Sequence, residues 1–227
     1  MKERLSEQGR TPYDGLRFYS ALTHGIGALL ALLGMLILLI TAVQLSVSAG
    51  TIVSLCVYSA SLLALYTAST VYHSCRTSVR GRDLLRKLDH VMIYILIAGT
   101  YTPVCTGPLG DTSIGWIMLT AIWAMAIIGS VFTITWIKMP RLLTASIYII
   151  MGWFAIVAVY PLYHTLTPYC FALLLGGGLF YSAGGVLYAL KWPGRNNPRF
   201  GCHEIFHVFI ILGSICHFLM IYAFEFL

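Results

Sequence analysis

Near the end of the chain the segment HEIFH, His203 to His207, sets two imidazoles four residues apart. On a helix that spacing puts both on one face, about one turn from each other. H-E-x-x-H is the pattern of zinc proteases, where the histidines hold the metal and the glutamate is the general base. Those enzymes take a third ligand from further downstream. Only 20 residues follow His207 (227 − 207), and they offer His217 and Glu225. His217 lies ~15 Å further along a helix, too far to share a metal, and Glu225 lies deeper still. A third ligand therefore has to come from upstream, and Glu204, ~100° round the helix from His203, is read as incidental or as touching the site or a basic loop.

Two upstream segments offer partners. ASTVYHS carries His73 with Ser69 one turn before it, and LDHVMIY carries Asp89. Three neutral imidazoles with one position open for water make the ligand set of a catalytic zinc site, in which the metal brings the pKa of that water toward ~7. Asp89 can orient that water or accept its proton, and Ser69 can hydrogen-bond the water or a substrate. Each residue also has a plainer reading. The histidine pair can hydrogen-bond neighbouring helices, Ser69 its own helix carbonyl, and Asp89 can be a helix-start charge beside Arg86 and Lys87. What separates the two readings is whether the four polar groups His73, Asp89, His203 and His207 meet at one depth, and that depends on the elements that carry them.

Those elements are membrane helices. The 227 residues are 59% hydrophobic and 10% charged, with a mean hydropathy of +0.84, well beyond a soluble domain. Seven apolar runs, near 20–46, 50–74, 88–107, 114–136, 142–160, 169–190 and 203–225, are long enough to cross a ~30 Å hydrocarbon core as helices. Backbone hydrogen bonding leaves helices as the economical solution, and no strand-like alternation is present. The first run is longer than a signal-peptide core and has no small-x-small cleavage site. No repeat or linker divides the chain, so 1–227 reads as a single domain with a short tail at 1–18.

The 14 Lys and Arg residues sit in the tail (Lys2, Arg4, Arg10, Arg17), between spans two and three (Arg76, Arg80, Arg82, Arg86, Lys87), four and five (Lys138, Arg141), and six and seven (Lys191, Arg195, Arg199). The remaining loops have none. This positive-inside asymmetry predicts a cytoplasmic N-terminus and an outside C-terminus. The +6 net charge thus orients helices against anionic lipid and implies no nucleic-acid partner. Six scattered cysteines without a C-x-x-C pair predict no disulfide framework.

With that topology, His73 falls at the inner end of the second span, Asp89 at the inner start of the third, and His203 and His207 at the inner start of the seventh. Ionisable groups are costly in a bilayer, so their convergence on one shallow layer is a functional hypothesis. His24, about two turns into the first span, is read as packing or as lining the site's surroundings. His90 is expected to face another helix, and His164 to lie in an outer loop. Gly176 to Gly178 and Gly184–Gly185 are read as close-packing positions, and Pro103 as bending or ending the third span.

The segments THGIG, ASTVYHS, LDHVMIYILIAGTYTP and HEIFHVFIILGSICHF resemble the signature segments of the hemolysin III family, bacterial relatives of the progestin and adipoQ receptors that include the adiponectin receptors. The resemblance implies a seven-helix fold with cytoplasmic N-terminus in the plasma (inner) membrane. It implies zinc on His73, His203 and His207, with Asp89 on the zinc-bound water and Ser69 nearby. It also points to a wider group of membrane hydrolases that includes alkaline ceramidases, hence to hydrolysis of a lipid amide or ester with Asp89 as base and Ser69 stabilising the carbonyl. Where such proteins often carry Glu and Asn ahead of THGIG, this chain has Arg17 and Ser20, which casts doubt on a role of the first span in the site. The competing readings are a zinc-stabilised lipid sensor or membrane-homeostasis factor without chemistry, a pore-forming hemolysin, for which no amphipathic insertion segment is present, and an intramembrane protease, for which no later Leu-Asp-Gly segment is present.

Overall fold

The computed structural model describes residues 15–136, 140–195, 197 and 199–227. Most of the expected tail, with Lys2, Arg4 and Arg10, lies outside the described residues, as does Lys138. The described chain is helical: α1 (Phe18–Gln44), α2 (Ala49–Ser74), α3 (Val79–Thr106), α4 (Ser113–Thr135), α5 (Arg141–Gly152), a 3₁₀ segment (Trp153–Ala158), α6 (Val159–Thr165), α7 (Pro168–Leu190) and α8 (Cys202–Phe226). The pieces from Leu142 to Thr165 act as one span, giving, among the described residues, seven helices long and apolar enough to cross a membrane. This is a multi-pass all-α membrane protein.

Short linkers force antiparallel neighbours, so α1 packs on α2, α2 on α3 and α3 on α4, while α8 lies between α1 and α7 and α5 leans on α7 and α3. Large apolar side chains such as Leu29, Leu33 and Ile128 face outward and exposed, as a lipid-facing surface requires. Between helices the approach is close because glycines meet rings. A Cβ on Gly27 would lie 2.7 Å from the Tyr66 ring, and one on Gly213 2.8 Å from the Tyr181 ring. Both tyrosines then reach Ser214 on α8, Tyr66 donating at 2.8 Å and Tyr181 sharing a hydrogen bond at 2.9 Å. One serine thereby ties α2, α7 and α8 together.

Two element boundaries differ from the sequence expectation. The third span begins at Val79, nine residues before 88, because Ser78 caps the helix by accepting from Gly81 N–H. Arg80, Arg82, Arg86 and Lys87 are consequently helical residues, and Asp89 lies three turns inside α3 instead of at its start. Pro103 stands within the last turn of α3, which ends at Thr106. The fifth span extends to Thr165, so His164 belongs to the last turn of α6 and not to a loop, and a 3₁₀ segment interrupts the span. There the Tyr101 hydroxyl donates toward the carbonyls of Met151 and Gly152, at 3.2 and 2.8 Å, and accepts from Ala155 N–H at 2.7 Å. The described cysteines are all free thiols. Gly177 lies directly against His217, and Gly184 would set a Cβ 2.7 Å from Cβ of Phe209, so these two glycines do mediate close packing; Gly176 faces open space.

Candidate metal centre

His73 closes α2, and what fixes the end of α2 fixes His73. Arg82, buried in the second turn of α3, donates to the carbonyls of Tyr72 and Cys75 at 2.6 and 2.9 Å, the C-terminal carbonyls that a helix leaves unpaired. Its guanidinium also lies 4.6 Å from the centre of the Tyr72 ring, a cation–π contact. At the head of α8, Glu204 reaches back to accept from Gly201 N–H at 2.9 Å, closing the first turn that carries His203 and His207.

These two helix ends bring three imidazoles together. One ring nitrogen each from His73, His203 and His207 lies within 4.8 Å of the others, and the group is largely buried. The Nε2 atoms of His73 and His203 are 3.1 Å apart. Nδ1 of His73 is 2.6 Å from the Gly15 carbonyl, and Nδ1 of His207 is 3.3 Å from the Ser20 carbonyl and 3.2 Å from Thr23 Oγ1. A carbonyl oxygen only accepts, so both Nδ1 atoms carry the proton and both Nε2 atoms present a lone pair. Ligand imidazoles anchored to carbonyls through the opposite nitrogen are the usual support of a bound metal. The donor set therefore fits a divalent metal of the zinc type.

Asp89 and Ser69 stand beside this group. The Asp89 carboxylate has His90, His73 and Ser69 as polar neighbours and also acts electrostatically on His203. His90, expected to face away, instead holds Nδ1 3.5 Å from Asp89 Oδ2, because the same Nδ1 donates one turn back to the Arg86 carbonyl and so turns the ring along the helix. Ser69, Asp89, His24, His203 and His207 line a cavity of about 140 Å³ whose remaining walls are overwhelmingly apolar. It extends between α3, α5, α7 and α8 as far as Tyr101 and His217. His217 is outside the histidine group and is occupied through Nε2 with the Leu174 carbonyl at 3.2 Å.

Glu204 is not incidental. It is fully buried, and Arg17 grips it in bidentate fashion, Nε to Oε1 at 2.7 Å and the Nη2 group to Oε2 at 2.9 Å. Ser20 Oγ adds a 2.6 Å bond to Oε1. With Gly201 these donors occupy both carboxylate oxygens, which leaves Glu204 no free lone pair aimed at a water and removes it as a zincin-like base. Arg17 and Ser20, where the first span departs from the resembled pattern, are thus the residues that bring α1 to the site. His24 joins them, stacked on His207 with ring centres 3.4 Å apart and planes at 9°. Sequence patterning had no means to pair Arg17 with Glu204 across 187 residues. The one available signal was the glutamate three positions after Gly201.

Residues 18–218 match the family described as Haemolysin-III related. The chain belongs to this family. Two relatives agree with the match: the "Hemolysin-3 homolog" of Bacillus subtilis (strain 168) is 41% identical over 199 residues, covering 88% of this chain and 89% of the relative. The "Hemolysin-3" of Bacillus cereus is 41% identical over 205 residues, with 88% and 87% covered. The family match spans α1 to the middle of α8, so every residue of the histidine group falls inside the haemolysin-III region.

Proposed function

We propose that this haemolysin-III family member is a zinc-dependent hydrolase of a lipid amide or ester, a single domain working at the cytoplasmic face of a bacterial inner membrane. The observation that carries the reading is the meeting of His73, His203 and His207, with Asp89 and Ser69 alongside, at the head of an apolar cavity. Basic loops gather at the same end of the bundle, which supports a cytoplasmic position for the site. His73, His203 and His207 would hold the zinc. When bound, zinc supplies Lewis acidity, polarising a carbonyl oxygen and making water acidic near neutrality. Asp89, an acceptor-only carboxylate beside the group, takes the proton that an attacking water gives up and returns it to the leaving amine or alkoxide. Ser69 Oγ donates to the carbonyl oxygen as its charge builds. The apolar walls hold the hydrocarbon part of the substrate and keep bulk water out. The relatives' name concerns lysis; a bundle of spans with a buried polar centre supports chemistry at that centre better.

The test is metal analysis of the purified full chain together with hydrolysis of a lipid amide in detergent micelles. The expected result is about one zinc per chain in wild type, and an Asp89→Asn variant that keeps its zinc and loses turnover. Wild type free of zinc would end the metal reading. Zinc without turnover of any lipid amide or ester would leave a non-catalytic sensor or membrane-homeostasis factor in its place.

A further inference from the structure

The first helix entry, residues 15–20, touches two of the three histidines, His73 and His207, directly. Gly15 gives its carbonyl to Nδ1 of His73, Arg17 N–H donates to the His73 carbonyl at 3.1 Å, and Ser20 gives its carbonyl to Nδ1 of His207. Among the described residues, the side chains that fasten this entry to α8 are Arg17 and Ser20, through Glu204, which sits between His203 and His207 in sequence. The arrangement is geometrically demanding: a planar guanidinium fork on a planar carboxylate fixes distance and orientation together. An ion pair with one member buried and the other partly exposed is a poor source of net stability, because desolvating the buried carboxylate offsets most of the attraction. What it supplies is a unique geometry, and the geometry fixed here is that of the nitrogens that face one another.

We infer that Arg17 and Glu204 form a positioning pair for the metal: their bidentate clamp sets the spacing and tilt of His73 against His203 and His207. Neither residue is a ligand, and neither moves a proton. This rests on the zinc reading above.

The experiment measures zinc affinity of the full chain in micelles by competition with a chromogenic chelator, and the visible spectrum after cobalt(II) replacement. Glu204→Gln alone would leave the Arg17 cation uncompensated beside the site, mixing repulsion with misplacement. The decisive variant is therefore Arg17→Met with Glu204→Gln, which deletes the clamp without changing net charge. Its affinity is expected to fall ~10–100-fold, the effect typical of losing support behind a ligand, with an altered cobalt spectrum reporting changed ligand geometry. Arg17→Lys keeps the charge and removes the fork, and is expected to weaken zinc several-fold. It serves as the test should the double variant fail to fold, since Arg17 is itself partly exposed. Folded double variant, or folded Arg17→Lys, binding zinc within about twofold of wild type with an unchanged cobalt spectrum would overturn the positioning role. Wild type that binds no zinc is a different result, and strikes the metal reading itself.

Discussion

Gly27→Ala puts the packing logic around the site to a quantitative test. A Cβ on Gly27 stands 2.7 and 2.8 Å from Cδ1 and Cε1 of Tyr66, against ~3.5–4.0 Å for an unstrained carbon contact. The ring has to retreat by roughly 1 Å to restore that spacing. It is not free to do so: its hydroxyl is bonded to Ser214, and it meets the His24 ring edge-on with centres 5.1 Å apart. His24 in turn lies flat on His207. Overpacking of this kind costs about 1–3 kcal/mol, and at ~2–4 °C per kcal/mol for a chain of this size the melting temperature in micelles should drop by several degrees. Because the displacement is passed through His24 to His207, zinc should bind more weakly as well. Gly176→Ala is the matched control, since a Cβ there meets nothing within 4 Å, and it should melt at or above wild type. A Gly27→Ala protein that melts with wild type, or a Gly176→Ala protein that loses as much, would refute the reasoning.

Single replacements His73→Ala, His203→Ala and His207→Ala should each abolish stoichiometric zinc on metal analysis, whereas His217→Ala should retain it, being outside the group. Chelator should lower the melting temperature of wild type and leave His207→Ala unaffected, because zinc at about 100 times its Kd adds ~2.7 kcal/mol to the folded state. Tyr66→Phe removes one buried hydrogen bond to Ser214 and should cost about 1 kcal/mol in a reversible unfolding assay; Ser214→Ala removes that bond and the one to Tyr181, so it should cost more, and adding Tyr66→Phe to it should take away no further hydrogen bond.

The spans were legible because a bilayer imposes a length and an apolarity that few other structures share. Where the chain was helical for other reasons the reading stopped short: Arg80 to Lys87 are too polar for a lipid-buried run, yet Ser78 starts their helix. The histidine group was legible because depth follows from topology, so His73 and His203 could be placed at one level although neither is informative alone. Arg17 and Glu204 were not, since an ion pair between distant helices has no period and each residue by itself looked like noise: one a departure at the edge of a span, the other a passenger in a motif. His90 was misread for a related reason. Its ring turns along the axis to a backbone carbonyl, which sets it against Asp89.

The 3₁₀ stretch of the fifth span has a consequence for the shape of the cavity. Tightening from one winding to the other frees main-chain carbonyls that hydrocarbon cannot solvate, and a single phenol from α3 takes charge of them. Gly152 and Trp153, which form part of the cavity wall, are therefore held at an offset dictated by Tyr101, whose hydroxyl reaches the Gly152 carbonyl 51 positions later. The contour of that wall is set by a neighbouring helix, so the shape of the cavity can be retuned from α3 without altering any residue of the fifth span.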